Sequence, residues 1–148
     1  MLNGIPSALT GEVLAHLDAM GHGDTVVVAD AHFPASSLAE RLVELPGVSV
    51  PEAVRAIRAV FPLDPPPFAE SGVDLMRSGD GERLAVQQEI IDAAQLSDSD
   101  APPRDVERFA FYEEAAVAYL IIRTGELRPY ANAILSKGLA TPDESWRG

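Results

Sequence analysis

Residues 20–34 read Met-Gly-His-Gly-Asp-Thr-Val-Val-Val-Ala-Asp-Ala-His-Phe-Pro, and this stretch predicts the centre of the fold. Its apolar run, residues 26–29, is long enough for a buried strand and too short for a helix. The β-branched valines in this run favour the strand. Ionisable side chains flank the run on both sides, namely His22, Asp24, Asp30 and His32. We therefore predict a buried strand over residues 25–30 that delivers ionisable groups at its ends to a candidate site.

The composition of the chain limits its size class and its partners. With 148 residues, 47% of them hydrophobic, it can bury the core of one domain, and residues 140–148 are expected to form a loose tail. The net charge of −12 would repel phosphates, so we expect neither a nucleic-acid partner nor an anionic membrane. No cysteine is present, which excludes disulfides and thiolate metal sites. With no signal-peptide pattern or long apolar run, we expect a cytoplasmic protein.

Helix and strand signals alternate along the rest of the chain. Thr10 can cap a helix over residues 11–20, and Pro51 suits the first turn of a later helix. The capping-box pattern that starts at Ser37 predicts a helix to about residue 45. Further predicted elements are strands at 48–50, 73–76, 119–123 and 133–135, a helix at 82–95, and a strand-to-helix junction within 106–111. This alternation predicts an α/β layered fold.

The four side chains that flank the central strand allow three interpretations. Two histidines and two aspartates could bind a metal ion, but the intervening strand separates His22 from His32 by about 20 Å when extended. In a structural interpretation, Asp24 caps a turn and His22 is a hydrogen-bonded core residue. In a catalytic one, His22 exchanges protons near neutral pH while Asp24 or another carboxylate fixes its tautomer.

Four short motifs go beyond these interpretations. They are Met-Gly-His-Gly-Asp at 20–24, Asp-Ala-His-Phe-Pro-Ala at 30–35, Arg-Phe-Ala-Phe-Tyr-Glu at 108–113, and Thr-Gly-Glu at 124–126 followed by Tyr-Ala-Asn at 130–132. In this order they resemble the D-ribose pyranase/L-fucose mutarotase family. The third motif is typical of the fucose mutarotase branch, whereas Tyr-Ala-Asn is similar to the pyranase branch. Glu-Leu-Pro-Gly at residues 44–47 stands where the family usually has Arg-Ala-Asp-Gly.

The resemblance implies a fold and an activity. The expected fold is a single-domain three-layer α/β/α sandwich. The expected protein is an isomerase without cofactor or metal that interconverts the α and β anomers of a free monosaccharide, L-fucose first, by acid–base ring opening and reclosure. Alternatives are a D-ribose pyranase, a mutarotase for another sugar, or a non-catalytic sugar-binding or regulatory protein. Family members form rings, often decamers, so we expect a homo-oligomer with sites near subunit contacts.

The resemblance also implies roles for individual residues. His22 would be the proton donor, and Tyr112 the second acid–base group. The residues expected to bind the sugar are Asp30, Asp64, Met76, Arg108, Tyr130 and Asn132. Asp24 and His32 would support the site. Without the resemblance, Tyr112 would be interpreted as a core aromatic, Arg108 as a surface ion-pair partner, and Asp64 as the start of a proline turn.

Overall fold

The computed structural model describes all 148 residues, which form six strands, five α-helices and a terminal 3₁₀ turn. The elements are α1 (Gly11–Ala19), β1 (Thr25–Ala29), α2 (Ala35–Leu38), β2 (Leu42–Leu45), α3 (Val50–Arg58), β3 (Asp74–Met76), α4 (Ala85–Ala94), β4 (Arg104–Val106), α5 (Arg108–Ala116), β5 (Leu120–Thr124), β6 (Ala133–Ser136) and the 3₁₀ turn Ser145–Arg147. No helix has the length and apolar character that a membrane crossing requires.

The six strands form one sheet in the order β2-β5-β1-β6-β3-β4. β1 pairs in parallel with β5, and β5 in parallel with β2, whereas β6 runs antiparallel to both of its neighbours, β1 and β3. Five strands therefore end at one edge of the sheet, which we call the carboxyl edge, and β6 begins there. The opposite edge, where β1 begins and β6 ends, is called the amino edge.

Helices cover both faces of the sheet, and the valine run of β1 packs against both layers. Val26 and Val28 belong to a core shared with α1, α3 and α4, whereas Val27 and Ala29 belong to a second core shared with α2 and α5. Successive strand residues point to opposite faces, so a strand buried on both sides must be apolar throughout. The predicted α/β/α layering and the predicted central strand are confirmed.

Two local predictions are wrong, both between residues 37 and 50. Residues 37–45 do not form one helix, since α2 ends at Leu38 and β2 follows. The Ser37 hydroxyl donates a hydrogen bond to the Pro34 carbonyl instead of capping a helix. Parallel pairing with β5 holds β2 in place. The segment expected as a strand at 48–50 leads into α3, because Ser49 and Glu52 form the capping box there.

The only lysine of the chain joins α1 to the amino edge. The Nζ of Lys137 donates to the carbonyl oxygens of Leu17 and Met20, at 2.6 Å each, where α1 ends. These carbonyls have no partner within the helix, and a cation beside them also interacts favourably with the helix dipole. The Lys137 backbone pairs in addition with Gly23 and Asp24, so the loop that carries His22 lies between two fixed segments.

Lys137→Met should lower the free energy of unfolding by about 2 kcal/mol, because it leaves the carbonyls at the end of α1 without their charged donor. Urea denaturation measures the effect. Arg55→Met is the matched control, since Arg55 is exposed and its loss should change stability by less than about 0.5 kcal/mol. Equal stability of the two variants would contradict this role of Lys137.

Candidate functional site

The carboxyl edge brings together residues that are far apart in sequence. β1, β3 and β4 all end there. Asp30 follows β1, Met76 is the last residue of β3, and Arg108 begins α5 two residues after the end of β4. Because β6 is antiparallel, the loop before it reaches the same edge with Tyr130 and Asn132. Crevices beyond the carboxyl ends of parallel strands are the usual ligand sites of open α/β sheets.

A cavity of about 290 Å³ lies at this edge. The residues that line it are Asp30, His32, Phe33, Met76, Arg108, Tyr112, Pro129, Tyr130 and Asn132. Seven of the ten site residues named from the sequence are in this set, and the exceptions are His22, Asp24 and Asp64. The structure thus places most of the expected sugar-binding residues in one pocket and separates the expected proton donor from them.

Asp30 and Asn132 form the buried polar base of the pocket. The Asn132 side chain donates Nδ2–H to Asp30 Oδ2 at 3.1 Å and accepts the Asp30 backbone N–H on its Oδ1 at 2.9 Å. The backbone N–H of His32 donates to the other Asp30 oxygen at 3.0 Å. Burial raises the pKa of Asp30 above its ordinary value of 3.8, although these hydrogen bonds act in the opposite direction.

Tyr130 has an unusual backbone conformation on the rim of this base. Its φ is +59°, in the left-handed region that side chains other than Asn and Asp rarely adopt. Such conformations cost about 1–3 kcal/mol and occur preferentially at functional sites. The Tyr130 hydroxyl lies over Gly79, where an added Cβ would come within 3.1 Å of it. A residue larger than glycine at position 79 would therefore crowd the Tyr130 hydroxyl.

Arg108 and Tyr112 form the opposite wall, one turn apart on α5. The Arg108 Nε donates to the Tyr112 hydroxyl at 3.1 Å, and this contact raises the pKa of the guanidinium. The Tyr112 ring packs edge-on against Phe33, with centroids 5.5 Å apart. Phe33 and Met76 are buried and give the pocket an apolar side. The cavity thus offers several hydrogen-bonding groups on one side and an apolar surface on the other.

The remaining site residues lie at the amino edge. His22 Nε2 is 2.8 Å from Asp64 Oδ1, and the side-chain exposures are 37% for His22 and 4% for Asp64. Asp64 therefore orients the imidazole, and it does not line the cavity at the carboxyl edge of its own chain. Asp24 does not contact His22 but accepts the Gly21 N–H at 2.7 Å. Of the carboxylates that could fix the His22 tautomer, Asp64 is the one in hydrogen-bond contact with the ring, and Asp24 stabilises the turn, as the structural interpretation expects.

His22 and the pocket at Asp30 are at opposite ends of the same strand. β1 alone spans roughly 15 Å at about 3.3 Å per residue, and it is buried within the sheet. No side-chain rotation of His22 can bridge that distance. A single chain therefore presents two separate groups of functional side chains, one at each edge of the sheet.

The structure adds residues that the sequence did not single out as site residues. Phe33 and Pro129 line the pocket, and both are next to recognised motif residues. Gln87 does not line it but hydrogen-bonds to two residues that do, Met76 and Tyr130. The available signal for Gln87 was its position on the apolar face of α4, three residues from both Leu84 and Ile90. Residues 44–47, which depart from the family pattern, do not line the pocket, and Glu44 pairs with Arg123.

The chain is similar to known proteins along nearly its whole length. The model of the RbsD / FucU transport protein family matches residues 3–140. The chain is 40% identical to a fucose mutarotase of Danio rerio, covering 97% of each chain, and 40% identical to an L-fucose mutarotase of Glaesserella parasuis serovar 5 (strain SH0165), covering 94% of this chain and 96% of the relative. The crystal structure of the fucose mutarotase from Streptococcus pneumoniae in complex with L-fucose superimposes with a TM-score of 0.84 at 33% identity, covering 95% of this chain and 100% of that one. These similarities include both edges of the sheet.

The raised pKa of Asp30 predicts a pH dependence of stability. The folded state takes up this proton at higher pH than the unfolded chain, so wild type gains stability relative to Asp30→Asn as the pH falls toward 3.8, and loses that gain as the pH rises through the raised pKa. Urea denaturation of both proteins at pH 7 and pH 4 measures the difference. If the stability of wild type relative to Asp30→Asn stayed constant or fell from pH 7 to pH 4, the predicted direction would be wrong.

Proposed function

The chain belongs to the RbsD / FucU transport protein family, and we propose that it is a mutarotase that interconverts the α and β anomers of a free monosaccharide, L-fucose in the first place. The observation that carries the proposal is the pocket at the carboxyl edge. Its buried carboxylate, amide, two phenols and guanidinium converge on a cavity of about 290 Å³ with an apolar side. A pyranose ring presents the matching surface, because its hydroxyls form hydrogen bonds and its C–H groups pack on Phe33 and Met76.

The reaction needs only proton transfers. A base removes the proton of the anomeric hydroxyl while an acid protonates the ring oxygen, and the bond between C1 and that oxygen breaks to give the open-chain aldehyde. Rotation about the C1–C2 bond presents the other face, and reclosure returns both protons. Because no group other than a proton is exchanged, we propose that the enzyme uses no cofactor, and that it acts by placing an acid and a base around a bound sugar.

The side chains can be assigned to these steps. In the proposal, His22 supplies the proton, and its bond to Asp64 orients the ring. Tyr112, bonded to Arg108, is the second acid–base group. Asp30, Asn132 and Tyr130 bind the sugar hydroxyls, and Met76 contacts the ring. His32, whose Nε2 lies 3.1 Å from the Leu127 carbonyl oxygen, supports the loop that leads to Tyr130.

This assignment requires two copies of the chain, because His22 cannot reach the Asp30 pocket of its own subunit. We propose a homo-oligomeric ring in which the amino edge of one subunit closes the pocket of the next. Exposed apolar side chains lie at both surfaces: Phe68 packs against His22, and Phe109 and Leu127 are next to pocket residues. Exposed aromatic and aliphatic groups at matching surfaces favour such an interface.

We propose further that residues 1–148 form one domain and that the protein acts in the cytoplasm. Both cores pack on the same strand, β1, which supports a single folding unit. The absence of cysteine agrees with a reducing compartment. The C-terminal residues 140–148 are exposed and are proposed to be a loose tail, with Trp146 as its one large apolar side chain.

The activity can be tested by proton NMR exchange between the anomers of L-fucose, with D-ribose and D-galactose for comparison. Wild type should accelerate exchange most for L-fucose, and His22→Ala should reduce the rate about 10²–10⁴-fold because it removes the proton donor. His16→Ala is the control, since His16 lies on α1 outside both site regions. Fastest exchange with D-ribose would favour a pyranase. Saturable line broadening without exchange would favour a sugar-binding protein and contradict catalysis.

The shared site can be tested by mixing two inactive variants. His22→Ala keeps a complete pocket and Asp30→Asn keeps a complete His22–Asp64 pair. Co-expressed in one oligomer, they should recover about a quarter of wild-type activity, because random assembly pairs the intact halves at about that frequency. Light scattering should give a mass well above the 15.8 kDa of one chain. A monomeric mass, or no recovery in mixed oligomers, would contradict the shared site.

A further inference from the structure

Gln87 is a polar side chain in an otherwise apolar environment. It lies next to Val86 on the buried face of α4, and only 1% of it is exposed. Burying an amide without hydrogen bonds is costly, so a buried glutamine must either be fully bonded or destabilise the fold. The partners of Gln87 therefore indicate what this residue does.

Every partner of Gln87 is a backbone group, and two of the three belong to pocket residues. The Oε1 atom accepts the Leu84 N–H at 3.0 Å and so caps the first turn of α4. The Nε2 group donates to the Met76 carbonyl at 2.8 Å and to the Tyr130 carbonyl at 3.2 Å. One amide thus joins the end of β3 to the loop that precedes β6.

The backbone of Tyr130 depends on such a hydrogen bond more than the backbone of its neighbours does. Its left-handed backbone is less favourable than an extended or right-handed one, and it occurs only when other contacts outweigh that cost. The donor from Gln87 fixes the carbonyl of this residue, and Gly79, with no side chain, leaves room for its hydroxyl. Asn132, which holds Asp30, is only two residues further along.

We propose that Gln87 is a positioning residue of the sugar site, which holds Tyr130 and Met76 at the spacing that a bound pyranose requires. The proposal rests on the proposed function for the identity of the ligand. Gln87 touches no substrate and acts through Tyr130. The competing explanation is that Gln87 only caps α4, in which case its Oε1 bond matters and its two donated bonds do not.

Gln87→Glu separates these explanations, because a carboxylate keeps the acceptor for Leu84 and loses both donors. The matched control is Gln88→Glu, one position along the same helix, where the side chain is exposed and bonded only to Asp92. We expect Gln87→Glu to raise the KM for the preferred sugar about tenfold, the size of one or two lost hydrogen bonds, with kcat changed less than about twofold. Gln88→Glu should behave like wild type.

A double-mutant cycle tests the route through Tyr130. Tyr130→Phe removes the hydroxyl that the positioning serves, so the KM effect of Gln87→Glu should be much smaller in that background. Additive effects, or an unchanged KM in Gln87→Glu, would overturn the proposal. If Gln87→Glu does not fold, Gln87→Met removes the acceptor and both donors, with Gln88→Met as its control. A KM effect of Gln87→Met that disappears in the Tyr130→Phe background would then belong to the donated bonds, whereas one that stays would belong to the cap of α4 and overturn the proposal.

Amide hydrogen exchange gives a readout that is independent of activity. Peptides covering residues 127–133 should exchange faster in Gln87→Glu than in wild type, while peptides of β1 stay unchanged. Unchanged exchange in both segments would overturn the positioning role even if the protein were no mutarotase. If wild type showed no anomer exchange but amide exchange at residues 127–133 were faster in Gln87→Glu, the result would support the positioning role and contradict the proposed function.

Discussion

The reciprocal hydrogen bonds between Asp30 and Asn132 are the interaction on which the pocket depends. They join the end of β1 to the loop before β6, across 102 residues of sequence. A buried carboxylate is costly unless donors surround it, and here an amide side chain and the His32 backbone supply them. Their contribution is incomplete, because burial still raises the pKa of Asp30. The fold thus keeps a buried carboxylate at the base of a cavity where sugar hydroxyls can donate to it.

The antiparallel direction of β6 explains how the other pocket residues reach Asp30. A parallel sixth strand would have placed residues 130–132 at the amino edge, far from the ends of β3 and β4. Inserted in reverse between β1 and β3, β6 places its preceding loop among the carboxyl ends of its neighbours. Tyr130 then adopts a left-handed backbone to present its side chain, Gln87 bonds to its carbonyl, and Gly79 leaves room for its hydroxyl.

The same sheet carries the His22–Asp64 pair at its other edge. There Lys137 fixes the end of α1 and the loop of His22, and Asp64 orients the imidazole. His22 and Asp30, at opposite ends of one strand, cannot meet within a subunit. In the assembly proposed here they meet between subunits, and a head-to-tail contact of this kind closes into a ring when the rotation permits. The separation of His22 from Asp30 would then make catalysis conditional on assembly.

The sequence by itself determined the elements whose signals are local. The valine run between ionisable groups predicted β1, Thr10 predicted the start of α1, and the motifs at 20–24, 30–35, 108–113 and 130–132 identified the family and most pocket residues. It did not determine the segment at 37–50, because β2 exists through its pairing with β5 about 80 residues away, and such pairing leaves no local periodicity. Only the tertiary structure decided that Asp64 rather than Asp24 partners His22, that Gln87 bonds to Met76 and Tyr130, and that the loop before β6 meets Asp30 at the carboxyl edge. Those facts depend on strand order and direction, and no pattern of neighbouring residues encodes them.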